Sequence, residues 1–281
     1  MTVTVGVDSI CYNRSMRAGD LDLAGFLDRT VAHGAKAVQM DPLWRSQSLD
    51  LSDASLNRLR AMLQERGLHL VVKGNSGGLG SLLSPPEAAQ EDVALFRSKI
   101  EAAAKLGAPV MRIVTRAYPY PTAHTMPPKG VRRHEVIGWV IATLKALTPV
   151  AESLGVRIAV ENHGDLRIAE LERILKEVNS PALGVQCDLV EQVAIFEDPR
   201  WAAERLLPHA FTVHWSDAYP RLDEAGFCVR VCLPGEGLVD LDGIAQIIAS
   251  LPQEVYVFVA FQAASAELED AYVRAYVGDL N

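Results

Sequence analysis

Three short apolar segments of this sequence each end in a side chain that can bind a metal ion or accept a proton. The residues at these ends are Glu161, Asp188 and His214. An apolar run that ends on an ionisable residue is typical of a buried strand whose tip carries chemistry. Two carboxylates and an imidazole, brought together from neighbouring strands, form a ligand set for a divalent cation such as Mn²⁺, Mg²⁺, Co²⁺ or Zn²⁺. Each residue alone could be a hydrogen-bonded residue at a polar rim, but the same position on three successive strands favours a metal site.

One further residue beside these strand ends could take part in catalysis. His163 follows Glu161 by two residues, so on an extended chain both side chains lie on the same side. We predict catalytic roles for Glu161 and His163. A structural role for His163, in which it orients a loop, is the alternative.

Substrate contacts are predicted from four residues near the same strand ends. Arg112 stands at the end of the fourth predicted strand and could bind a carboxylate or phosphate group if it points inward. Trp215 directly follows His214. Arg230 and Glu236 belong to the segment after the seventh strand.

The elements that must position these residues follow a repeating pattern. Apolar residues at helical spacing are followed by a glycine in the position of a left-handed helix cap, and a short apolar strand begins within about two residues. With the later segments this gives eight strands that alternate with eight helices. Such alternation predicts parallel strands with crossover connections. The four clearest junctions are at Gly34, Gly67, Gly107 and Gly155.

Loop lengths distinguish between the two folds that this alternation allows. Eight units fit a closed (β/α)8 TIM barrel, although an open doubly wound sheet is an alternative. The connections from helix to strand are tight, whereas three connections from strand to helix are long, as expected when that face carries the site. We therefore predict an α/β fold with one TIM barrel domain over residues 1–281. The long connections are residues 73–86, 115–133 and 217–240.

Composition excludes several classes of partner. The 281 residues are 49% hydrophobic, which is enough for one large core. The formal net charge of −8 argues against an extended nucleic-acid surface. No apolar run approaches the roughly 18 residues of a membrane span, and we expect no secretory signal. Four scattered cysteines without zinc-ribbon spacing predict reduced thiols in a cytoplasm.

Four motifs in this order resemble a known family. They are AVENHG at 159–164, GVQCD at 184–188, VHWSD at 213–217 and LPGEGLVD at 233–240. Together they resemble the xylose isomerase-like TIM barrels, the sugar phosphate isomerase/epimerase superfamily, and the resemblance covers almost the whole chain.

The resemblance implies a ligand set and also shows a departure from it. In that family a divalent metal is held by Glu, Asp, His and Glu on strands five to eight, and the first three map onto Glu161, Asp188 and His214. The fourth position falls on Ala260, so metal binding is expected to be weak or absent unless Glu191 or water replaces the missing ligand. Barrels of this type often pair, which implies a homodimer or homotetramer.

The function that these residues favour is a sugar isomerase or epimerase acting on a small polyhydroxy carbonyl compound. Glu161 would take a proton from the carbon beside the carbonyl, and a metal on Asp188 and His214 would polarise that carbonyl. One alternative is a dehydratase that acts on a keto-inositol or dehydroshikimate-like substrate. The other is a non-catalytic sugar-binding barrel, which Ala260 favours.

Overall fold

Eight parallel strands close into a barrel, which confirms the predicted TIM barrel as a single domain. The computed structural model describes residues 3–42, 50–75, 81–85, 89–115, 130–224 and 226–280. Part of the predicted long connection 73–86 and most of the connection 115–133 therefore lie outside the described residues. Neighbouring strands follow the order β1-β2-β3-β4-β5-β6-β7-β10, and β10 pairs with β1. The strands are β1 Val3–Asp8, β2 Ala37–Met40, β3 His69–Lys73, β4 Val110–Val114, β5 Arg157–Glu161, β6 Leu183–Asp188, β7 Ala210–Trp215, β8 Asp217–Asp223, β9 Gly226–Cys232 and β10 Val255–Val259.

The helices form the layer outside the barrel. The eight predicted helices are present, and the described residues contain two further short ones. One, α1, follows β1 after a 3-10 turn, and the other, α7, directly follows β6. Gly155 shows why the predicted junctions work. Its φ of 68° is a left-handed conformation that ends a helix two residues before β5 begins. The helices are α1 Asn13–Ala18, α2 Leu23–Ala32, α3 Asp53–Glu65, α4 Ala89–Leu106, α5 Arg133–Leu154, α6 Ile168–Val178, α7 Leu189–Ala194, α8 Pro199–Leu206, α9 Leu241–Ser250 and α10 Ala266–Leu280.

One helix in the described part of the chain, α5, is long and apolar enough to cross a membrane. Half of its most apolar window is buried inside the structure. Its apolar side carries Ile137, Leu144 and Leu147, which belong to the core that the helices form around the barrel. The burial is that of a core helix in the outer layer of a barrel.

The segment after β7 contains a hairpin where the sequence predicted a loop. Strands β8 and β9 pair with each other in antiparallel register, from Asp217 opposite Cys232 to Asp223 opposite Gly226. The Asp217 carboxylate fixes the chain that returns from this hairpin, because it accepts hydrogen bonds from the backbone N–H groups of Gly235 at 3.0 Å, Gly237 at 2.9 Å and Val239 at 3.1 Å.

The barrel interior is divided into an apolar lower part and a polar upper part. Side chains of one strand face the interior at every second residue. The lower part is a separate apolar cluster of Ala37, Val71, Val110, Ala159, Tyr256 and Phe258. The upper part, toward the carboxyl ends of the strands, contains the buried polar residues Asp8, Gln39, Lys73, Arg112, Glu161, Gln186, Thr212 and His214.

Candidate metal centre and active site

The three predicted metal ligands converge at the carboxyl end of the barrel. Glu161 and Asp188 are the last residues of β5 and β6, and His214 is the last but one of β7. All three are buried. One candidate ligand atom from each residue lies within 4.8 Å of the other two, and this is the one such group found among the described residues.

A bulge between β6 and β7 sets the register that this convergence needs. Val185 is opposite Ala210, but Gln186 is opposite Thr212, so β7 holds one extra residue, Phe211. Such an insertion lets two consecutive residues face the same side. Phe211 packs on the apolar interior cluster, whereas Thr212 donates a hydrogen bond to Gln186 Oε1 at 2.9 Å. Beyond the bulge His214 lies directly opposite Asp188.

The ligand atoms are close enough to share one ion. His214 Nδ1 lies 2.9 Å from Asp188 Oδ2 and 3.4 Å from Glu161 Oε1. Glu161 Oε1 is buried and has no hydrogen-bond donor among the residues that the structure describes. A buried carboxylate oxygen without a hydrogen-bond donor costs free energy, and a bound cation would satisfy it. The donor set therefore fits a divalent cation.

Asp188 is held in place by its own neighbours. Its backbone N–H donates to Asn162 Oδ1 at 2.9 Å, and its carbonyl accepts from Asn162 Nδ2 at 2.9 Å. Its Oδ1 accepts from the backbone N–H of Val190 at 3.0 Å and of Glu191 at 3.2 Å. These two bonds cap the start of helix α7. Oδ2 remains directed at His214.

The second ring nitrogen of His214 has partners that orient the ring. Nε2 donates to Gln39 Oε1 at 2.6 Å, and Asp8 Oδ2 lies 3.3 Å away. Gln39 Nε2 in turn donates to Gln186 Oε1 at 2.6 Å. A ligand histidine commonly uses its other nitrogen in this way, which fixes the ring and leaves Nδ1 for the metal.

Glu161 forms a buried ion pair with Arg112. Arg112 Nε is in close contact with Glu161 Oε2. The Arg112 side chain therefore points into the barrel. Burial alone would raise the pKa of Glu161, but the Arg112 guanidinium and His214 lower it to about 2, as nearby positive charges do for a carboxylate. Glu161 is therefore ionised throughout the neutral pH range.

His214 carries a proton in the absence of a metal ion. Burial would lower its pKa, but the Glu161 carboxylate and the hydrogen bonds with Asp188 and Asp8 raise it to about 9. The protonated ring supplies the positive charge that the surrounding carboxylates require. A metal ion must displace this proton to bind.

A second buried ion pair lies on the opposite side of His214. Lys73 Nζ contacts Asp8 Oδ1, and both side chains are buried. Burial would raise the pKa of Asp8, but Lys73 and His214 together lower it below its ordinary value. Asp8 is thus an ionised residue that links Lys73 to the imidazole.

The position of the family's fourth ligand offers no coordinating side chain. Ala260 directly follows β10, where its backbone N–H donates to the Trp215 carbonyl at 3.4 Å. Glu191, the alternative source of charge, lies in the first turn of α7. Burial and the Asp188 carboxylate raise the pKa of Glu191 well above its ordinary value, which favours its uncharged form.

His163 lies just beyond β5, near the cluster. Its Nδ1 is buried and has no hydrogen-bond partner within the described ranges. Burial lowers the pKa of His163, although the Glu161 carboxylate acts in the opposite direction. A neutral imidazole with a free nitrogen in this place could bind a substrate hydroxyl group.

Three predicted substrate contacts are not brought to the cluster. Trp215 is a core residue whose Nε1 donates to Asp279 Oδ2 at 3.0 Å, because it alternates with His214 and faces the helical layer. Arg230 is exposed on β9 opposite Tyr219. Glu236 is also exposed, and its carboxylate accepts from the backbone N–H of Leu233 at 3.2 Å in its own turn. The expectation for Trp215 is therefore corrected.

Sequence reasoning missed five members of the polar layer, namely Asp8, Gln39, Lys73, Gln186 and Thr212, to which it assigned no role in the site. Each is a polar residue within or at the end of an apolar strand. That pattern is the signal that could have identified them, since it is the one that Glu161 follows.

Two curated proteins are similar in sequence to this chain. The 3-oxo-isoapionate decarboxylase of Pectobacterium atrosepticum is 29% identical over 143 residues, which cover 48% of this chain and 52% of that enzyme. The C-glycoside deglycosidase alpha subunit of Microbacterium trichothecenolyticum is 25% identical over 239 residues, which cover 78% of this chain and 58% of that subunit. The chain thus spans little more than half of the length of these relatives.

Solved structures share the whole fold, although their sequences differ. A crystal structure of D-psicose 3-epimerase has a TM-score of 0.74 at 14% identity, covering 98% of this chain and 97% of that one. The IOLI protein with a bound zinc atom has a TM-score of 0.74 at 17% identity, covering 100% and 98%. A family model described as the xylose isomerase-like TIM barrel matches residues 27–273. Since this match covers most of the sequence, the chain belongs to the xylose isomerase-like TIM barrel family.

Proposed function

We propose that this protein is a metal-dependent sugar isomerase that acts on a small polyhydroxy carbonyl compound. The observation that carries the proposal is the convergence of Glu161, Asp188 and His214, with Glu161 Oε1 buried and without a hydrogen-bond donor among the described residues. The structural similarity to D-psicose 3-epimerase supports a carbonyl sugar as the substrate class.

Glu161, Asp188 and His214 would hold the metal ion. When bound, a divalent cation polarises a substrate carbonyl and makes the neighbouring C–H bond more acidic. Glu161 is ionised and buried, so it can accept the proton from that carbon and return it to the former carbonyl carbon. The hydroxyl proton of the first carbon passes to the former carbonyl oxygen, which completes the isomerisation. His163 would hold a hydroxyl group through its free nitrogen, and the barrel wall keeps bulk water from the reacting carbon.

The arrangement favours isomerisation over epimerisation. Inverting one carbon removes a proton from one face and adds it to the other, which needs an acid or base on each side. Moving a proton between neighbouring carbons on one face needs a single carboxylate. Ala260 leaves no carboxylate at the end of β10, so we assign the base to Glu161, which is ionised and buried.

A lyase is the second candidate, and the same alanine favours it. Loss of carbon dioxide from the carbon beside a polarised carbonyl leaves an enolate. Dehydration forms the same enolate by removal of the proton from that carbon, and the hydroxyl group on the next carbon then takes up a proton and leaves as water. Neither reaction needs a base on the opposite face. The similarity to 3-oxo-isoapionate decarboxylase supports this candidate.

Deuterium exchange distinguishes these reactions. Mn²⁺-loaded protein would be incubated in D₂O with a panel of three- to six-carbon aldoses and ketoses and followed by proton NMR. We expect loss of the C–H signal beside the carbonyl together with interconversion of aldose and ketose. Glu161→Gln should abolish both, whereas the control Glu236→Gln should retain both, because Glu236 contacts only its own turn among the described residues.

Other outcomes are equally informative. Disappearance of substrate with release of carbon dioxide or water would assign the lyase. Sugar binding without exchange would assign a non-catalytic barrel. Exchange that continues unchanged after chelation of the metal would contradict the proposed mechanism.

A further inference from the structure

Two buried cations enter the upper part of the barrel side by side. Lys73 on β3 and Arg112 on β4 are opposite each other in the strand register. Their side chains are only 11% and 8% exposed. Lysine and arginine are rarely buried unless each has a carboxylate partner, so the partners of these two decide what the cations can bind.

Each cation has one close carboxylate partner. Lys73 contacts Asp8, and Arg112 contacts Glu161. The carboxylates that act most strongly on Arg112 are Glu161, Asp8 and Asp188. Three carboxylates thus share this part of the barrel with two cations.

Occupation of the metal centre would change the partner of one of these cations. A divalent cation held by Glu161 and Asp188 would be neutralised by their two negative charges. Lys73 would keep Asp8. Arg112 would then have no carboxylate left to neutralise it among the three that act on it most strongly.

A buried guanidinium without a counter-charge is unfavourable. Its planar set of N–H donors matches a carboxylate in a bidentate arrangement. The single positive charge of Arg112 would be neutralised by one carboxylate. A phosphate monoester carries a charge of about −1.5 to −2 at neutral pH, which is more than this charge requires.

We propose that the substrate carries a carboxylate group, which pairs with Arg112 beside the occupied metal centre. The substrate class is then a small sugar acid with a carbonyl group. This inference deepens the proposed function and rests on its metal site. Arg112 binds the end of the substrate that does not react, and Glu161 acts on the carbon beside the carbonyl.

The test compares three three-carbon probes that differ at one end. Binding of D-glycerate, glycerol and glycerol 3-phosphate to Mn²⁺-loaded protein would be measured by broadening of their proton NMR signals. We expect D-glycerate to bind at least about tenfold more tightly than glycerol, because a hydrogen-bonded charged group adds that much affinity. In metal-free protein this preference should be largely lost, since Glu161 retains Arg112.

Variants assign the preference to the guanidinium. Arg112→Gln should bind D-glycerate and glycerol alike while still binding Mn²⁺. Arg112→Lys should keep part of the preference, because it keeps the charge but loses the planar donor set. It also serves as the second variant if Arg112→Gln does not fold. Arg132→Gln is the matched control, because its side chain is 71% exposed, and it should behave like the wild type.

The failures of the two proposals can be told apart. If Mn²⁺ does not bind, the proposed function is contradicted. If Mn²⁺ binds but glycerol and D-glycerate bind equally, only the carboxylate inference is overturned. A glycerate preference that persists in Arg112→Gln would overturn it too, because the metal alone would then account for the preference. Tighter, Arg112-dependent binding of glycerol 3-phosphate would replace the carboxylate with a phosphate.

Discussion

The lower and upper parts of the barrel interior are built by the same strands, yet they differ completely in chemistry. Moving two residues toward the carboxyl end of a strand keeps the side chain on the interior face but exchanges an apolar residue for a polar one. The polar residues that could bind a metal or a substrate therefore occupy one layer of the interior, at the carboxyl ends of the strands. The exchanges are Ala37 for Gln39, Val71 for Lys73, Val110 for Arg112 and Ala159 for Glu161.

The two layers also differ in what they contribute to folding. The lower layer removes apolar surface from water and stabilises the barrel. The upper layer removes charges from water, which is costly unless each charge keeps a partner. The stability of the polar layer therefore depends on its ion pairs, whereas that of the lower layer depends on apolar packing.

The largest expected effect belongs to the lower layer. Phe258 is fully buried. Phe258→Ala should lower the free energy of unfolding by about 3–5 kcal/mol, because removal of the ring leaves a cavity. Urea unfolding would measure the loss, and the folded variant should bind Mn²⁺ like the wild type.

The control for this prediction lies on the surface. Leu222 is 81% exposed. Leu222→Ala should therefore cost less than about 0.5 kcal/mol of unfolding free energy, as surface substitutions usually do. Equal losses in the two variants would contradict the role of the lower layer.

Breaking an ion pair of the upper layer should be the next largest effect. Lys73→Met leaves Asp8 buried without its cation. The change should cost about 3 kcal/mol of unfolding free energy, which is typical when one partner of a buried pair is removed. The double variant Asp8→Asn/Lys73→Met should recover most of that loss, which a double-mutant cycle in urea would measure. If the losses in unfolding free energy of the two single variants are additive in the double variant, the ion pair does not contribute to stability.

Removing a ligand should affect metal binding more than stability. Asp188→Asn should weaken Mn²⁺ binding by roughly a hundredfold or more, because loss of a direct ligand should cost at least as much as loss of an orienting partner. The asparagine still caps α7, so unfolding should change little. Asp198→Asn makes the same substitution at the cap of α8. Isothermal titration should show unchanged Mn²⁺ affinity in that control, and an equal loss in both variants would exclude Asp188 as a ligand.

Taken per pH unit, the smallest expected effect is a pH dependence of metal affinity. The metal must displace the proton of His214, whose pKa is raised from 6.5 to about 9. Mn²⁺ affinity should therefore rise about tenfold per pH unit as the pH approaches that value and level off above it. His214→Asn should lose this slope. A flat profile in the wild type would contradict the protonated state.

The same shift acts on the stability of the metal-free protein with the opposite sign. A histidine whose folded pKa is raised contributes stability that is complete below its unfolded pKa and is lost as the pH rises through the folded one. For His214 these values are 6.5 and about 9. The melting temperature in the presence of a chelator should fall over this interval. A saturating concentration of Mn²⁺ should remove the fall, because the bound ring is already neutral.

The barrel fold and the strand ends that carry the candidate ligands could be predicted from the sequence alone. Periodicity within a strand decides which residues share a face, and left-handed caps such as Gly155 decide where helices end. Both are local properties, so they could be read without a structure. The positions of Glu161, Asp188 and His214 at strand ends follow from the same reasoning.

The contacts between side chains of different strands became known only from the tertiary structure. The bulge at Gln186 places His214 opposite Asp188, and no local pattern revealed it. Lys73 finds Asp8 65 residues away, and the interior position of both depends on closure of the barrel. Trp215 and Asp217 lie beside His214 in sequence, yet one packs outward and the other fixes the hairpin. Register between strands and the partners of buried charges are long-range properties, because they are set by the closed sheet as a whole and not by the residues on either side.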